Sequence, residues 1–283
     1  MFIFQRVADL QAFLNQARQA GRSIGFVPTM GALHEGHLDL IRRAKAETDV
    51  AVASIFVNPT QFNDPKDLEK YPRTPEKDVA ALMSAHCDVL LMPSVQEIYP
   101  TGQDISLEMD FGSLAKVMEG VFRPGHFDGM ATVVKRLLDI VGPDRLFMGQ
   151  KDFQQLSIVR EMLRRLQMPV QLVMCDTKRE PDGLAMSSRN MRLTPEMRAA
   201  APVIYKTLSE AKEAFAQQPV ADIEAWAFKQ LEHAGLRPEY FDIVDGITLQ
   251  PVTERRADAF VVACVAAFAG DVRLIDNLVL QEG

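Results

Sequence analysis

His34 and His37 stand three residues apart in the stretch Ile24-Gly25-Phe26-Val27-Pro28-Thr29-Met30-Gly31-Ala32-Leu33-His34-Glu35-Gly36-His37-Leu38. At helical spacing the two imidazoles share one face of a turn. Gly36 between them has no side chain, so a flat ring or a phosphate can approach the backbone there. A helix starting at this point adds unpaired backbone N–H groups and a partial positive charge. Two imidazoles and a set of N–H donors would then face one bound anion. The same spacing also suits a plain polar helix face. Zinc is disfavoured, because His-Glu-x-x-His sites place their ligands at i and i+4.

Three further groups have chemical promise. In Gly149-Gln150-Lys151-Asp152-Phe153-Gln154-Gln155 an apolar run ends at a glycine, and Lys151 stands where its ammonium and helix N–H groups could share a triphosphate. Asp152 would cap that helix or orient Lys151 or a metal-bound water, although a solvated helix start reads the same way. In Leu184-Ala185-Met186-Ser187-Ser188-Arg189-Asn190 two hydroxyls can donate and a guanidinium can bind phosphoryl oxygens in pairs. An N-cap cluster is the alternative. Asn58 and Gln61 offer neutral amides that bond hydroxyls and carboxylates without adding charge, while Asn58 before Pro59 also fits an Asx turn. His126, in a turn-rich loop, and His86, beside Cys87, read as structural or surface residues.

The ten-residue string Pro28-Thr-Met-Gly-Ala-Leu-His-Glu-Gly-His37 resembles the signature of the pantoate–β-alanine ligase family. That family is a branch of the nucleotidylyltransferase superfamily, whose His-x-Gly-His element class I aminoacyl-tRNA synthetases share. The strings around Asn58, Lys151 and Ser187, and Arg273-Leu-Ile-Asp-Asn277, follow in the family's order, so the resemblance spans nearly the whole chain. It implies ATP-driven joining of (R)-pantoate to β-alanine through a pantoyl adenylate, with AMP and pyrophosphate released. ATP would be a substrate, accompanied by Mg²⁺, with no metal site made of protein ligands.

By the same resemblance, ATP is contacted by Met30, Gly31, Ala32, Leu33, His34, Glu35, Gly36, His37, Gly149, Gln150, Lys151, Asp152, Lys178, Met186, Ser187, Ser188 and Arg189. Pantoate is contacted by Gln61 and Gln155 with Asn58 beside it, and Gln61 also meets β-alanine. His37 becomes the principal catalytic residue, donating a hydrogen bond or proton to the phosphates, with His34 in support. Lys178 replaces a valine common in the family, at a position whose backbone meets adenine and so tolerates the change. A homodimer is also implied. Nucleotidyl transfer to another small molecule, RNA binding by a synthetase-like protein, and nucleotide sensing without catalysis remain open at this stage.

The elements that must position these residues follow from periodicity. Apolar runs from Ile24 to the break at Pro28, and at Val50–Val57, Asp88–Met92, Arg145–Met148 and Val170–Cys175, alternate with helical patterns at Arg6–Ala20, after Leu33, at Glu76–His86, Met130–Val141 and from Lys151 to Leu166. Such alternation predicts a doubly wound parallel α/β sheet with ligands at the C-terminal strand ends, which the resemblance makes Rossmann-like. A weak strand is expected within Ile98–Asp110, and a polar loop over Thr60–Pro65 and Tyr71–Pro75.

Past a boundary near Asp176–Asp182 the pattern becomes α+β, with helices at Pro195–Gln217 and Val220–Ala234 and strands at Tyr240–Val244 and Ala259–Ala267. Domains at 1–176, binding ATP and pantoate, and 177–283, a smaller lid, are expected. A net charge of −7 gives nucleic-acid binding no support. Three separated cysteines fit a reducing cytoplasm, and no apolar run approaches a membrane span.

Overall fold

The computed structural model describes residues 1–62, 68, 69, 71–102 and 105–283. Asn63, Asp64 and Pro65 of the expected loop lie outside the described residues. The chain divides into two compact units, Met1–Phe111 with Arg123–Gly149 and Ile158–Cys175, and Gly112–Phe122 with Gln150–Ser157 and Asp176–Gly283. Two short segments from before residue 176 thus group with the C-terminal residues.

The first unit holds a six-stranded sheet of β1 (Phe2–Phe4), β2 (Ile24–Thr29), β3 (Val50–Ile55), β4 (Val89–Leu91), β5 (Arg145–Gly149) and β6 (Gln171–Cys175). The order is β1-β4-β3-β2-β5-β6 and every pairing is parallel. Ile24, Phe26, Val27, Val50, Ala51, Val52 and Ala53 are each at most 1% exposed, as strands covered on both faces require. Strand order reverses between β2 and β5, so their C-terminal ends flank the crevice where open α/β sheets bind ligands. The β2–β5 pairing covers only Gly25 and Phe26, so the strands have parted before Pro28, which has no N–H to give a ladder.

Sequence periodicity located β2 to β6 to within two residues, with three departures elsewhere in this unit. β1 was not anticipated, because three residues are too few to show a period. No strand occurs among the described residues of 98–110. The helix expected from Met130 begins at His126, because Gly125 at φ +76° turns the chain directly into it. His126 is therefore a buried helix residue, not a loop residue, and its Nδ1 lies 3.3 Å from the Gln61 carbonyl oxygen.

The second unit is built on the antiparallel sheet β7 (Arg237–Asp245), β8 (Val261–Ala269) and β9 (Val272–Gln281). Helices Val203–Phe215 and Val220–His233 cover one face, where Ile204, Leu208, Ile223 and Leu231 pack with Ile243, Ala263, Val265 and Ala267. On the other face Tyr240 and Arg273 meet Glu119, with the Tyr240 hydroxyl donating at 2.8 Å and Arg273 bonding both carboxylate oxygens at 2.7 Å. The long helix expected from Pro195 is interrupted, running Pro195–Ala200 and then Val203–Phe215. Pro202 brings no N–H and its ring crowds the preceding turn. β9 was missed because Asp276 and Asn277 break its apolar pattern.

No disulfide joins Cys87, Cys175 and Cys264, and all three are buried. Burial pushes the Cys87 thiol up to about 11, and burial with the nearby Asp242 carboxylate pushes Cys264 up as well. Since the thiolate is the reactive form, an aromatic disulfide reagent at pH 8 is expected to leave the native protein unlabelled and to titrate 3 thiols after denaturation. Rapid labelling of Cys87 in native protein would contradict its placement.

Candidate active site

In the first unit the chain leaves β2 at Thr29, whose hydroxyl donates to the Ser54 carbonyl at 2.7 Å and accepts from the Gly31 N–H at 3.2 Å. Gly31 and Ala32 then adopt left-handed backbone, with φ +83° and +51°. Such a pair is held only where the surroundings over-determine it. Here the agent is Asp78, 2% exposed in the helix Pro75–Ser84. Its Oδ2 accepts from the Ala32 N–H at 3.0 Å and its Oδ1 from the Leu33 N–H at 2.8 Å and the Thr74 hydroxyl at 3.2 Å. Sequence reasoning passed over Asp78, which reads only as an acidic residue in a helix's first turn.

The turn delivers the chain to the helix Glu35–Glu47, for which His34 is the N-cap and His37 the third residue. The rings lie 4.1 Å apart, centroid to centroid, at 40°. The His34 N–H donates to His37 Nδ1 at 3.3 Å. An Nδ1 that accepts must carry its lone pair, so neutral His37 has its proton on Nε2 and presents an N–H there. The expected grouping of Met30 to His37 at one helix start is therefore found. Gly149 ends β5 on the other flank of the same crevice, and a Cβ there would meet nothing within 4 Å. Protein packing alone does not demand glycine at that point.

Asn58 is 1% exposed, and both ends of its amide are engaged. Its Oδ1 accepts from Tyr99 Oη at 2.7 Å, Thr60 Oγ1 at 3.1 Å and Thr60 N at 3.4 Å, while Nδ2 donates to the Gly129 carbonyl at 3.2 Å. Asn58 thus builds the Pro59–Gln61 turn, as its Asx-turn reading anticipates, and does not hold its amide open. Burial raises the Tyr99 phenol, against the pull of its bonds to Thr60 and Asn58, which keeps it a neutral donor. The Gln61 carboxamide makes no hydrogen bond among the described residues, so its groups remain available to a ligand.

In the second unit Lys151, Ser187, Arg189, Asn190, Arg273 and Asp276 line one cleft. Lys151 Nζ lies 3.6 Å from Asp152 Oδ1. Ser187 caps a short helix by accepting from the Arg189 N–H at 3.2 Å, so the N-cap reading and the cleft-lining position coexist. Lys178 and Met186 are paired across a tight loop, the Met186 N–H donating to the Lys178 carbonyl at 2.9 Å, with Arg179 and Ala185 bridged inside it. Gln155 is half-buried in the helix Phe153–Arg165, and neither it nor Met186, Lys178 or Ser188 lines the cleft.

A parallel sheet with an imidazole-bearing helix start at its switch point defines a Rossmann-like, nucleotide-binding α/β enzyme. The family model for pantoate–β-alanine ligase matches residues 2–279. The pantothenate synthetase of Porphyromonas gingivalis is 48% identical over 283 residues, covering 100% of both chains. The crystal structure of pantothenate synthetase from Thermus thermophilus superposes with a TM-score of 0.92 at 43% identity, over 99% of this chain and 100% of that one. A pantoate–β-alanine ligase from Francisella tularensis, complexed with β,γ-ATP and β-alanine, gives 0.82 at 36% identity, over 100% of this chain and 99% of that one.

The chain belongs to the pantoate–β-alanine ligase family, the enzymes that condense pantoate with β-alanine using ATP. That membership sets aside the nucleotidyl-transfer, RNA-binding and sensing alternatives. Among the described residues no helix is long and apolar enough to cross a membrane.

Proposed function

We propose that the condensation runs in two steps, with the residues singled out above in defined roles. A carboxylate resists an amine because its leaving group would be oxide, whereas an acyl adenylate leaves AMP. Pantoate would attack the α-phosphorus of ATP, releasing pyrophosphate, and neutral β-alanine would then attack the pantoyl carbonyl. His37 Nε2–H, with the N–H groups of its helix start, would stabilise charge on the phosphoryl oxygens, and His34 would hold His37 in place. Lys151, Ser187 and Arg189 would bind the departing phosphates, and the open face of Gly149 would let the nucleotide close on the backbone.

The hydrogen bond from His34 N to His37 Nδ1 carries this reading, because it fixes which imidazole nitrogen is the donor. The β,γ-ATP and β-alanine in the Francisella tularensis complex support the same substrates here. Mg²⁺ would arrive as the counter-ion of the ATP phosphates, with Asp152, beside Lys151, suited to bond its water shell. The segment 1–176 would serve ATP and pantoate, and 177–283 would act as a lid in a cytoplasmic homodimer.

The test is pyrophosphate release from ATP and pantoate with β-alanine withheld. A stoichiometric burst is expected, followed by AMP release only when the amine is added; pyrophosphate that waits for the amine would exclude the adenylate. Gln61, whose amide has no protein partner among the described residues, is assigned to pantoate with β-alanine. Gln61→Ala is expected to weaken pantoate binding about tenfold, one or two hydrogen bonds' worth, and ATP binding hardly at all. Calorimetry showing the reverse order would remove Gln61 from that role.

A further inference from the structure

Asp276 and Asn277 are neighbours in β9, so their side chains leave opposite faces of the small sheet. Both are nonetheless buried, at 4% and 2% exposed. Buried polar side chains in a strand are retained at a cost unless every group is satisfied. These two are satisfied by the two segments that carry the cleft's cations.

Asn277 Nδ2 donates to the carbonyls of Gln150 and Lys151, each at 2.9 Å, and its Oδ1 accepts from Gln150 Nε2 at 3.0 Å. Two donors and an acceptor on one short planar group is what a primary amide supplies. Aspartate would set a carboxylate against two carbonyl oxygens, and leucine would fill the space and leave both carbonyls orphaned. On the opposite face Asp276 grips Arg179 at two points, 2.6 and 3.1 Å. Arg179 in turn donates to the Gly183 carbonyl at 3.2 Å, lies 3.7 Å over the Tyr205 ring, and anchors the loop that ends at Ser187. Burial pushes the Asp276 carboxyl up, and the Arg179 guanidinium opposes this.

We propose that Asp276-Asn277 is the positioning element of the phosphate-binding cleft, one peptide unit of β9 that sets Lys151 and the Ser187–Arg189 segment in register. This rests on the assignment of Lys151 and Arg189 to the ATP phosphates. Neither Asp276 nor Asn277 need touch the nucleotide for the effect. A role in folding alone would weaken every substrate equally, whereas positioning acts through Lys151.

The experiment is a double-mutant cycle read as KM for ATP and for β-alanine, with melting curves to confirm folding. Asn277→Ala is expected to raise KM for ATP about tenfold, the cost of a misplaced charged contact, and to leave KM for β-alanine within about twofold. In the Lys151→Ala background the same change is expected to have an effect below about twofold, because coupled residues are not additive. Equal effects in both backgrounds, or on both substrates, would overturn the proposal. Should Lys151→Ala alone leave KM for ATP and kcat unchanged, the phosphate assignment itself fails, a separate result. If Asn277→Ala does not fold, Asn277→Ser, which keeps one donor, is carried through the same cycle against the same criteria.

Discussion

His37→Ala is expected to slow adenylate formation about 10²- to 10⁴-fold in a single turnover of ATP and pantoate, the usual cost of removing a positioned proton or hydrogen-bond donor. Three features of the site argue for an effect of that size. The ring sits at the third position of the helix Glu35–Glu47, where the backbone N–H groups also point. Its Nδ1 is already committed to the His34 N–H, so the other nitrogen carries the donor proton. The ring is half-buried and outside the packed core, so its loss should cost stability only through the cap, about 0.5–2 kcal/mol. His34→Ala is expected to cost less turnover, because its ring lies against His37 and its own contribution runs through that contact. His37→Gln, which restores an N–H donor but not the fixed orientation, should fall between. A near wild-type single-turnover rate in His37→Ala would refute the assignment, and so would a fall that tracks lost folding.

What could be seen in the residues, and what could not, follows from how local each cause is. The strand–turn–helix around His34 and His37 was legible because a buried strand, a glycine-bearing turn and an amphipathic helix each write their own period into consecutive residues. Lys151 and Ser187–Arg189 stood out by their residue types, and Lys151, Ser187 and Arg189 do line one cleft. The agents that hold them were not legible. Asp78 lies 45 residues beyond Leu33, to which it bonds, and Asn277 lies 126 residues beyond Lys151.

No period connects such pairs, and an acid in a helix's first turn has an ordinary local explanation. Asn58 shows the opposite case, since its local Asx-turn chemistry proved to describe the bonds it makes. The one usable signal for β9 was two polar residues inside an apolar run, which lowers strand propensity and marks a place where burial needs a specific partner. Pro202 could have been read as a break, because proline inside a helical pattern ends it at the residue before.

Asp78→Asn is expected to produce the second large effect, and the geometry explains why so conservative a change is not mild. Both carboxylate oxygens accept from backbone donors, Oδ2 from Ala32 and Oδ1 from Leu33. An amide of the same shape has one oxygen, so in either orientation an NH₂ faces one of those N–H groups. A buried donor left unsatisfied costs about 1–3 kcal/mol, which is the expected loss of folding stability. The turn itself has little reason to persist without the carboxylate, since Ala32 at φ +51° occupies a region that L-residues enter at a cost of about 1–2 kcal/mol. Released, the turn would let the start of the helix Glu35–Glu47 move, and a shift of about 1 Å at a reacting group can cost about 10²-fold in rate.

Turnover is therefore expected to fall by roughly that factor in Asp78→Asn, together with a lowered melting temperature. Ala32→Gly tests the cause, because glycine adopts the left-handed conformation without penalty. Added to Asp78→Asn, it should recover part of the stability, while Gly31→Ala, whose Cβ would lie 3.1 Å from both Asp78 Oδ2 and Ile55 Cγ2, should deepen the loss. Wild-type turnover in Asp78→Asn would mean that the turn holds its shape without the carboxylate, and no gain from Ala32→Gly in that background would mean that left-handed strain at Ala32 is not what the carboxylate offsets.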